Sequence, residues 1–201
     1  MDWTDHGIVI NVHKHGESSA IVTLLTESHG RHAGLVRGGS GKRKSPILQP
    51  GNLLQVTWRA RLEEQLGSFT CEMERAYSSA VLDDPARLAA LSSYCAVANS
   101  TLPERVDEPG IFSALVEMME TLPGQDWQEN YVKWELYLLS ELGYGLDLSS
   151  CAATEQTEDL IYVSPKSGRA VSAGAGAPYK SKLLPLPEFL IEDSKSASPD
   201  D

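Results

Sequence analysis

The hydrophobic and polar positions of the first 75 residues alternate in short runs, which is typical of β-strands. Five strands are predicted, at residues 7–15, 18–26, 31–37, 52–61 and 67–75. Turns follow one another closely, and Gly30 is suited to the positive φ that closes the second turn. Five short antiparallel strands in about 70 residues indicate a small closed barrel of the OB-fold type.

Strand parity predicts which side chains face the barrel core. The inward positions are predicted to be Ile8, Ile10 and Val12 in the first strand, Leu54, Val56, Trp58 and Ala60 in the fourth, and Phe69, Cys71 and Met73 in the fifth. Asn11 and His13, Gln55, Thr57, Arg59 and Arg61, and Ser68, Thr70, Glu72 and Glu74 are predicted to face outward. Trp58 is therefore interpreted as a core residue, with a base-stacking platform as the alternative.

A helical period replaces the alternation after residue 84. Asp84-Pro85 and Glu108-Pro109 have the residue types that begin helices, and a third helix is predicted from about Trp127 to Leu142. The apolar stripes are Leu88, Leu91, Cys95 and Ala98, then Phe112, Leu115, Met119 and Leu122, then Trp127, Tyr131, Trp134, Leu138 and Leu142. The aromatic stripe of the third helix is interpreted as packing core, with a ligand groove as the alternative.

After the third predicted helix, the sequence shows little strand or helix periodicity. Residues 160–165 and 167–172 form a predicted hairpin, residues 173–177 are Gly/Ala-rich and loop-like, and residues 194–201 are predicted to be disordered. The predicted domains are a barrel at 1–80, a helical domain at 81–148, a hairpin at 149–182 and a C-terminal segment at 183–201.

Charge singles out one surface of the barrel. The chain carries 17 Lys+Arg and 28 Asp+Glu, yet residues 31–61 contain no acidic residue. That stretch holds seven basic residues: Arg31, Arg37, Lys42, Arg43, Lys44, Arg59 and Arg61. Its glycines predict a mobile loop at residues 37–46, and the two outward arginines of the fourth strand would extend it into a basic strip for a polyanion. The alternative is an ordinary solvated hairpin tip.

Catalytic and metal chemistry find little support in the sequence. The histidines His6, His13, His15, His29 and His32 lack metal-ligand spacing and are expected at the surface. The three cysteines cannot form a disulfide framework, and Cys151 has no histidine after it in the chain to serve as a base. We therefore expect no catalytic residue, no cofactor and no bound metal.

Location follows from the termini and apolar runs. The acidic N-terminus lacks the apolar segment of a signal peptide, and no apolar run approaches the ~20 residues of a membrane helix. We expect a cytoplasmic protein without a membrane partner.

Several segments follow one another in a characteristic order: residues 7–9 and 14–26, His29 to Gly38, residues 142–148 with Cys151, Tyr162 to Val171, and Leu183 to Pro187. Together they resemble the RecO family of bacterial recombination mediators. Each segment alone has low specificity, and their order and spacing carry the resemblance, which covers most of the chain.

The resemblance implies an α+β multi-domain protein with an OB-fold, a helical domain and a zinc-finger-like hairpin. It implies binding and annealing of single-stranded DNA, with double-stranded DNA as a further candidate ligand, and association with the nucleoid. Its implied partners are RecR, RecF, the acidic tail of single-stranded-DNA-binding protein and, indirectly, RecA, which it would help to load on gaps. Two departures stand out: only Cys151 remains of a four-cysteine site, so the hairpin is interpreted as degenerate, and the chain ends soon after Leu190.

Three functions can be compared at this stage. The first is a DNA-repair mediator that binds and anneals single strands, the second a generic OB-fold adaptor without annealing activity, and the third a thiol or metal enzyme. The third lacks the residues it needs. The C-terminal hairpin favours the first over the second, since a generic adaptor has no reason to carry it.

Overall fold

A computed structural model describes residues 1–191. The predicted disorder from residue 194 therefore falls outside the described residues. The chain divides into two compact units, Met1–Asn130 and a second that begins at Tyr131.

Five strands of the first unit form a closed barrel in the order β1-β2-β3-β5-β4, which confirms the predicted OB-type barrel. The strands are β1 Asp2–His15, β2 Ser19–Thr26, β3 Gly30–Val36, β4 Leu53–Arg59 and β5 Ser68–Arg75. β1 is long enough to pair with β4 through its first half and with β2 through its second half. The prediction that all strands are antiparallel is wrong at one position, because β3 and β5 close the barrel as a parallel pair.

The barrel core contains Leu54, Val56, Trp58 and Phe69, as strand parity predicts. The parity predicted for β1 is confirmed at Val12 but wrong at Ile8 and Ile10, because the register shifts between Val9 and Asn11. Such a bulge changes which residues point inward. Val9 is in the core and Val12 packs against it, whereas Ile8 and Ile10 are buried on the other face of β1, the strand that the first helix contacts.

One end of β5 keeps the predicted parity but not the predicted burial. Phe69 is in the core and Cys71 packs against it, but Met73 is 38% exposed. Gly34 of β3 explains how the core closes near Phe69: a Cβ at this position would lie 2.5 Å from the Phe69 ring. Only glycine leaves room for the ring at that contact.

Three helices follow the barrel, as predicted: α1 Pro85–Thr101, α2 Pro109–Thr121 and α3 Trp127–Glu141. Asp84 caps α1 by accepting hydrogen bonds from the backbone N–H groups of Ala86 and Arg87. The buried faces include Leu91, Cys95 and Ala98 of α1 and Phe112, Leu115 and Met119 of α2. Trp134 and Leu138 of α3 are buried too, in agreement with the core interpretation of its stripe.

The second unit contains the predicted hairpin, with β6 Leu160–Val163 antiparallel to β7 Ala170–Ser172. Residues Leu184–Pro185 form β8 on the other side of β6. The loop predicted at residues 173–177 is wrong, because Ala173–Gly176 form one helical turn, α4, followed by a 3-10 helix at Ala177–Lys182. Cys151, Leu160, Val163 and Ala170 share a small core with Val171 and Leu186.

Candidate nucleic-acid interface

The closing pair of the barrel gathers basic residues that the sequence separates. Arg59 is opposite Ser68 on β5, and Ser68 is opposite Leu35 on β3. Neighbouring strands lie about 4.8 Å apart, so Arg59 and Leu35 are about 10 Å apart across β5. Arg37 follows Leu35 by two residues and begins the loop at residues 37–51, which we call the basic loop. The start of the basic loop therefore lies one strand away from the far end of β4, on the other side of β5. Along the chain, by contrast, the loop joins the near end of β4 at Leu53.

The basic loop spans residues 37–51 in a series of turns. Arg37, Lys42 and Arg43 are exposed, and Lys44 is partly buried. The Lys44 ammonium donates a hydrogen bond to the Arg37 carbonyl oxygen at 2.8 Å. This contact holds the Lys44 charge at the root of the loop, beside Arg37.

Arg59 and Arg61 occupy different kinds of position. The Arg59 side chain is 73% exposed, and its guanidinium has a long contact of 3.8 Å with the Asp2 carboxylate. Such an exposed pair is weak and leaves the guanidinium able to contact a phosphate. Arg61 is exposed but lies beyond the end of β4, in the loop before β5, so its predicted place on the strand face is wrong.

Arg31 stands apart from the other six basic residues. Its side chain is 18% exposed, its Nε donates to the Leu102 carbonyl oxygen at 2.8 Å, and its guanidinium lies 3.4 Å from Glu104. The Arg31 carbonyl oxygen also accepts from the Arg105 N–H at 2.9 Å. These contacts join β3 to the segment after α1. We therefore define the basic strip as the six others: Arg37, Lys42, Arg43, Lys44, Arg59 and Arg61.

A further basic group lies near the strip and was missed by the sequence interpretation. Lys14 pairs with Ala20, which pairs with Val36 just before the loop. Lys14 is exposed, between His13 and His15 at the tip of the first hairpin. The signal was the run of three basic or titratable residues before a turn glycine.

Acidic residues limit the strip on β5. Glu72 and Glu74 are exposed toward the end of that strand, whereas Ser68 and Thr70 at its start are uncharged. The Glu74 carboxylate lies 2.7 Å from His6 Nδ1, and this hydrogen bond raises the pKa of His6 above its ordinary value. A polyanion would therefore contact the start of β5 and avoid the face of its end that carries Glu72 and Glu74, which is opposite the face of Met73.

An aromatic cluster fills the end of the barrel where β1 begins, and consists of Trp3, His29, His32, Trp58 and Phe69. Trp58 is 1% exposed and its Nε1–H donates to the Leu66 carbonyl oxygen at 3.0 Å. Trp58 is thus a core residue, and the stacking-platform alternative is wrong.

The expectation that all histidines lie at the surface is wrong for His32. It is 4% exposed, with its ring edge-on to Trp3 and Trp58. Burial, together with the charge of Arg105, lowers the pKa of His32 to about 4. His29 stacks on Trp3 at a centroid distance of 4.0 Å and contacts the Asp5 carboxylate at 2.7 Å. These histidines serve packing and hydrogen bonding in the first unit.

The thiols are set in the protein interior or close to it. Burial raises the pKa of Cys71 to about 11 and that of Cys95 to about 12. Burial also acts to raise the pKa of Cys151, but hydrogen bonds led by that from the Ser172 hydroxyl outweigh it and bring the pKa to about 6. Cys151 is 0% exposed, so its sulfur is shielded from a substrate. Within residues 1–191 we find no group of three or more His, Cys, Asp or Glu side chains placed to hold a metal ion.

The barrel and the basic strip together define an OB-fold protein with a surface suited to a polyanion. Comparisons with known proteins specify the family. Residues 1–77 match the family described as Recombination protein O N terminal, and residues 82–199 match Recombination protein O C terminal. The chain belongs to the recombination protein O family, and its role lies in DNA repair and recombination.

Curated relatives extend over nearly the whole chain. The DNA repair protein RecO of Rhodospirillum centenum is 52% identical over 193 residues, which cover 95% of this chain and 77% of the relative. That of Rhodospirillum rubrum is 47% identical over 201 residues, covering 97% and 80%. One from Cereibacter sphaeroides is 42% identical over 200 residues, covering 100% and 84%. Across the described residues, no helix has both the length and the apolar character needed to span a membrane.

Proposed function

We propose that the chain binds single-stranded DNA through the basic strip and acts as a non-enzymatic recombination mediator. The observation that supports this most directly is that Arg59 and the start of the basic loop lie on either side of a single strand, β5. Arginine and lysine groups in such a row can follow a phosphate backbone, because each one replaces a condensed counterion. The buried thiols favour a binding function over a catalytic one.

Salt dependence tests the polyanion surface. If about five basic groups each displace a counterion from a single strand, log K falls with log salt at a slope of roughly -3.5. Raising salt fourfold then weakens binding about 100-fold. A slope near zero would show that the strip does not bind the backbone.

A triple variant localises the effect to the loop. Lys42→Ala, Arg43→Ala and Lys44→Ala together should reduce the slope to roughly -1.4, because three of about five phosphate contacts are lost. The melting temperature should change little, since Lys42 and Arg43 are exposed. Lys166→Ala, Lys180→Ala and Lys182→Ala remove the same charge from exposed positions of the second unit and should leave the slope unchanged.

Annealing and partner binding are proposals supported by family membership. We propose that the chain anneals complementary strands, binds RecR and the tail of single-stranded-DNA-binding protein, and with RecR and RecF helps to load RecA on gaps, in the cytoplasm at the nucleoid. Annealing of DNA coated with single-stranded-DNA-binding protein distinguishes this role from that of a simple adaptor. A protein that binds strands but never anneals them would be the adaptor, and pull-downs with RecR and with the tail peptide test the partners.

A further inference from the structure

A groove lies between the basic loop and the segment that follows β5, within the first unit. It encloses about 700 Å³ and is open to solvent. The loop side contributes Lys42, Ser45, Pro46, Gln49 and Asn52, and the other side Met73, Ala76, Ser78, Ser79 and Leu82. Among the described residues that line it, none is acidic. The charged group of the lining is thus Lys42, which also belongs to the basic strip.

One buried side chain holds the two walls together. The Asn52 amide donates to the carbonyl oxygens of Pro46 and Ile47, each at 3.2 Å. Its Oδ1 accepts from the backbone N–H and the hydroxyl of Ser78, at 3.2 and 2.8 Å. Asn52 is 1% exposed, and Leu48 of the loop is in the barrel core. The loop wall is thus anchored, and the groove exists before any ligand binds.

The groove exposes apolar side chains beside a cation. Met73 is 38% and Leu82 60% exposed, while Lys42 supplies an ammonium group and Gln49 an amide to the lining. An unpaired nucleobase has matching chemistry, with apolar faces, polar edges and a phosphate attached. Methionine suits such a contact because its flexible, polarizable side chain adapts to different rings. Bases in a duplex are stacked and paired, so they cannot enter.

We propose that this groove holds an unpaired nucleobase of the bound strand, with its faces against Met73 and Leu82 and its phosphate near Lys42. The inference rests on the proposed binding of single-stranded DNA and adds a base-dependent contact to it. It also gives the surface a preference for single strands over duplexes. Contacts of bases with apolar and aromatic side chains differ in strength, but both depend on the base and leave the salt dependence of the backbone contacts unaltered.

The test compares two probes on two proteins. The probes are an oligothymidylate and an abasic strand of equal length and charge, and the variant is Met73→Ser with Leu82→Ser. The unmodified protein should bind oligothymidylate about tenfold more tightly than the abasic strand. In the variant the difference should fall to about twofold or less, with the salt slope kept. Leu139→Ser with Ile161→Ser, also exposed apolar residues, is the matched control and should keep the tenfold difference.

Different results would refute the groove proposal and the proposed function. A variant that keeps its full preference for oligothymidylate overturns the groove proposal. A zero salt slope with both probes in every protein overturns the proposed function instead. Photocrosslinking of 4-thiothymidine strands to the unmodified protein gives a readout that needs no variant. Crosslinks at Met73, Ser79 or Leu82 support the groove, and crosslinks confined to other surfaces contradict it.

Discussion

The burial of His32 predicts a specific loss of stability in mild acid. Its pKa is lowered from 6.5 to about 4 in the folded chain, chiefly by burial. The unfolded chain therefore binds a proton at His32 at a higher pH than the folded chain does. The resulting destabilisation is nearly absent above pH 6.5, grows as the pH falls toward 4, and is complete below that value.

The size of the effect follows from these two pKa values. Between pH 7 and pH 5 the His32 contribution lowers the free energy of unfolding by about 2 kcal/mol. The complete effect below pH 4 is about 3 kcal/mol. For a typical urea dependence of ~2 kcal/mol per molar, the change from pH 7 to pH 5 moves the urea midpoint by about 1 M.

Urea titrations of the unmodified protein and of His32→Phe, at pH 7 and pH 5, measure this contribution. Phenylalanine retains a ring against Trp3 and Trp58 but does not titrate. The difference in unfolding free energy between the two proteins should change by about 2 kcal/mol between the two pH values. Phe69→Leu alters packing in the same cluster and should lower stability about equally at both. Equal acid sensitivity of His32→Phe and the unmodified protein would refute the reasoning.

Substitutions at three positions test the fold, and a metal analysis tests the expectation for Cys151. Trp58→Ala should lower the free energy of unfolding by about 3–5 kcal/mol in thermal or urea unfolding, the range for a buried aromatic. Trp58→Phe should cost less, although it loses the hydrogen bond to the Leu66 carbonyl oxygen. Normal stability of Trp58→Ala would contradict the core position of Trp58. Gly30→Ala should be strongly destabilising by the same measurement, because the residue has φ 61° and a Cβ would lie 1.8 Å from the Val106 carbonyl oxygen. Gly38→Ala, with φ 70° and no described atom within 4 Å of the added Cβ, separates the backbone strain from the clash. Elemental analysis of protein purified without added metal should find well under one equivalent of zinc, whereas a stoichiometric amount would mean that further ligands complete a site at Cys151.

The sequence predicted the barrel strands and the three long helices correctly, but not in every strand which residues face the barrel core. Alternation assigned Leu54, Val56 and Trp58 correctly because β4 has no irregularity along that stretch. It failed for Ile8 and Ile10 because the shift after Val9 inverts the parity of β1, and no local pattern marks that shift. Burial of both faces near Val9 made the run continuously apolar. Such a run does not indicate which residues face the barrel.

The candidate interface shows the same distinction between local and distant information. Arg37, Lys42 and Arg43 are exposed in a loop whose glycines the sequence displays. Arg31 has the same charge, but its hydrogen bond to Leu102 depends on a contact across 71 positions of the chain. The proximity of Arg59 to the start of the loop likewise depends on the parallel closing pair. In the sequence the loop is followed directly by β4, but that connection joins the loop to Leu53, at the other end of the strand from Arg59.

The parallel closing pair also has a consequence for the kinetics of folding and opening. It is recorded at one position, Leu35 with Ser68, supported by the hydrogen bond from the Leu35 N–H to the Gly67 carbonyl oxygen at 3.1 Å. Contacts between distant strands with little local support form late and open early. If β3 and β5 separated, Arg59 would move away from the basic loop. A DNA strand that contacts both Arg59 and the loop would therefore stabilise the closed barrel. Amide hydrogen exchange at Leu35 should then slow as the DNA concentration rises above the Kd.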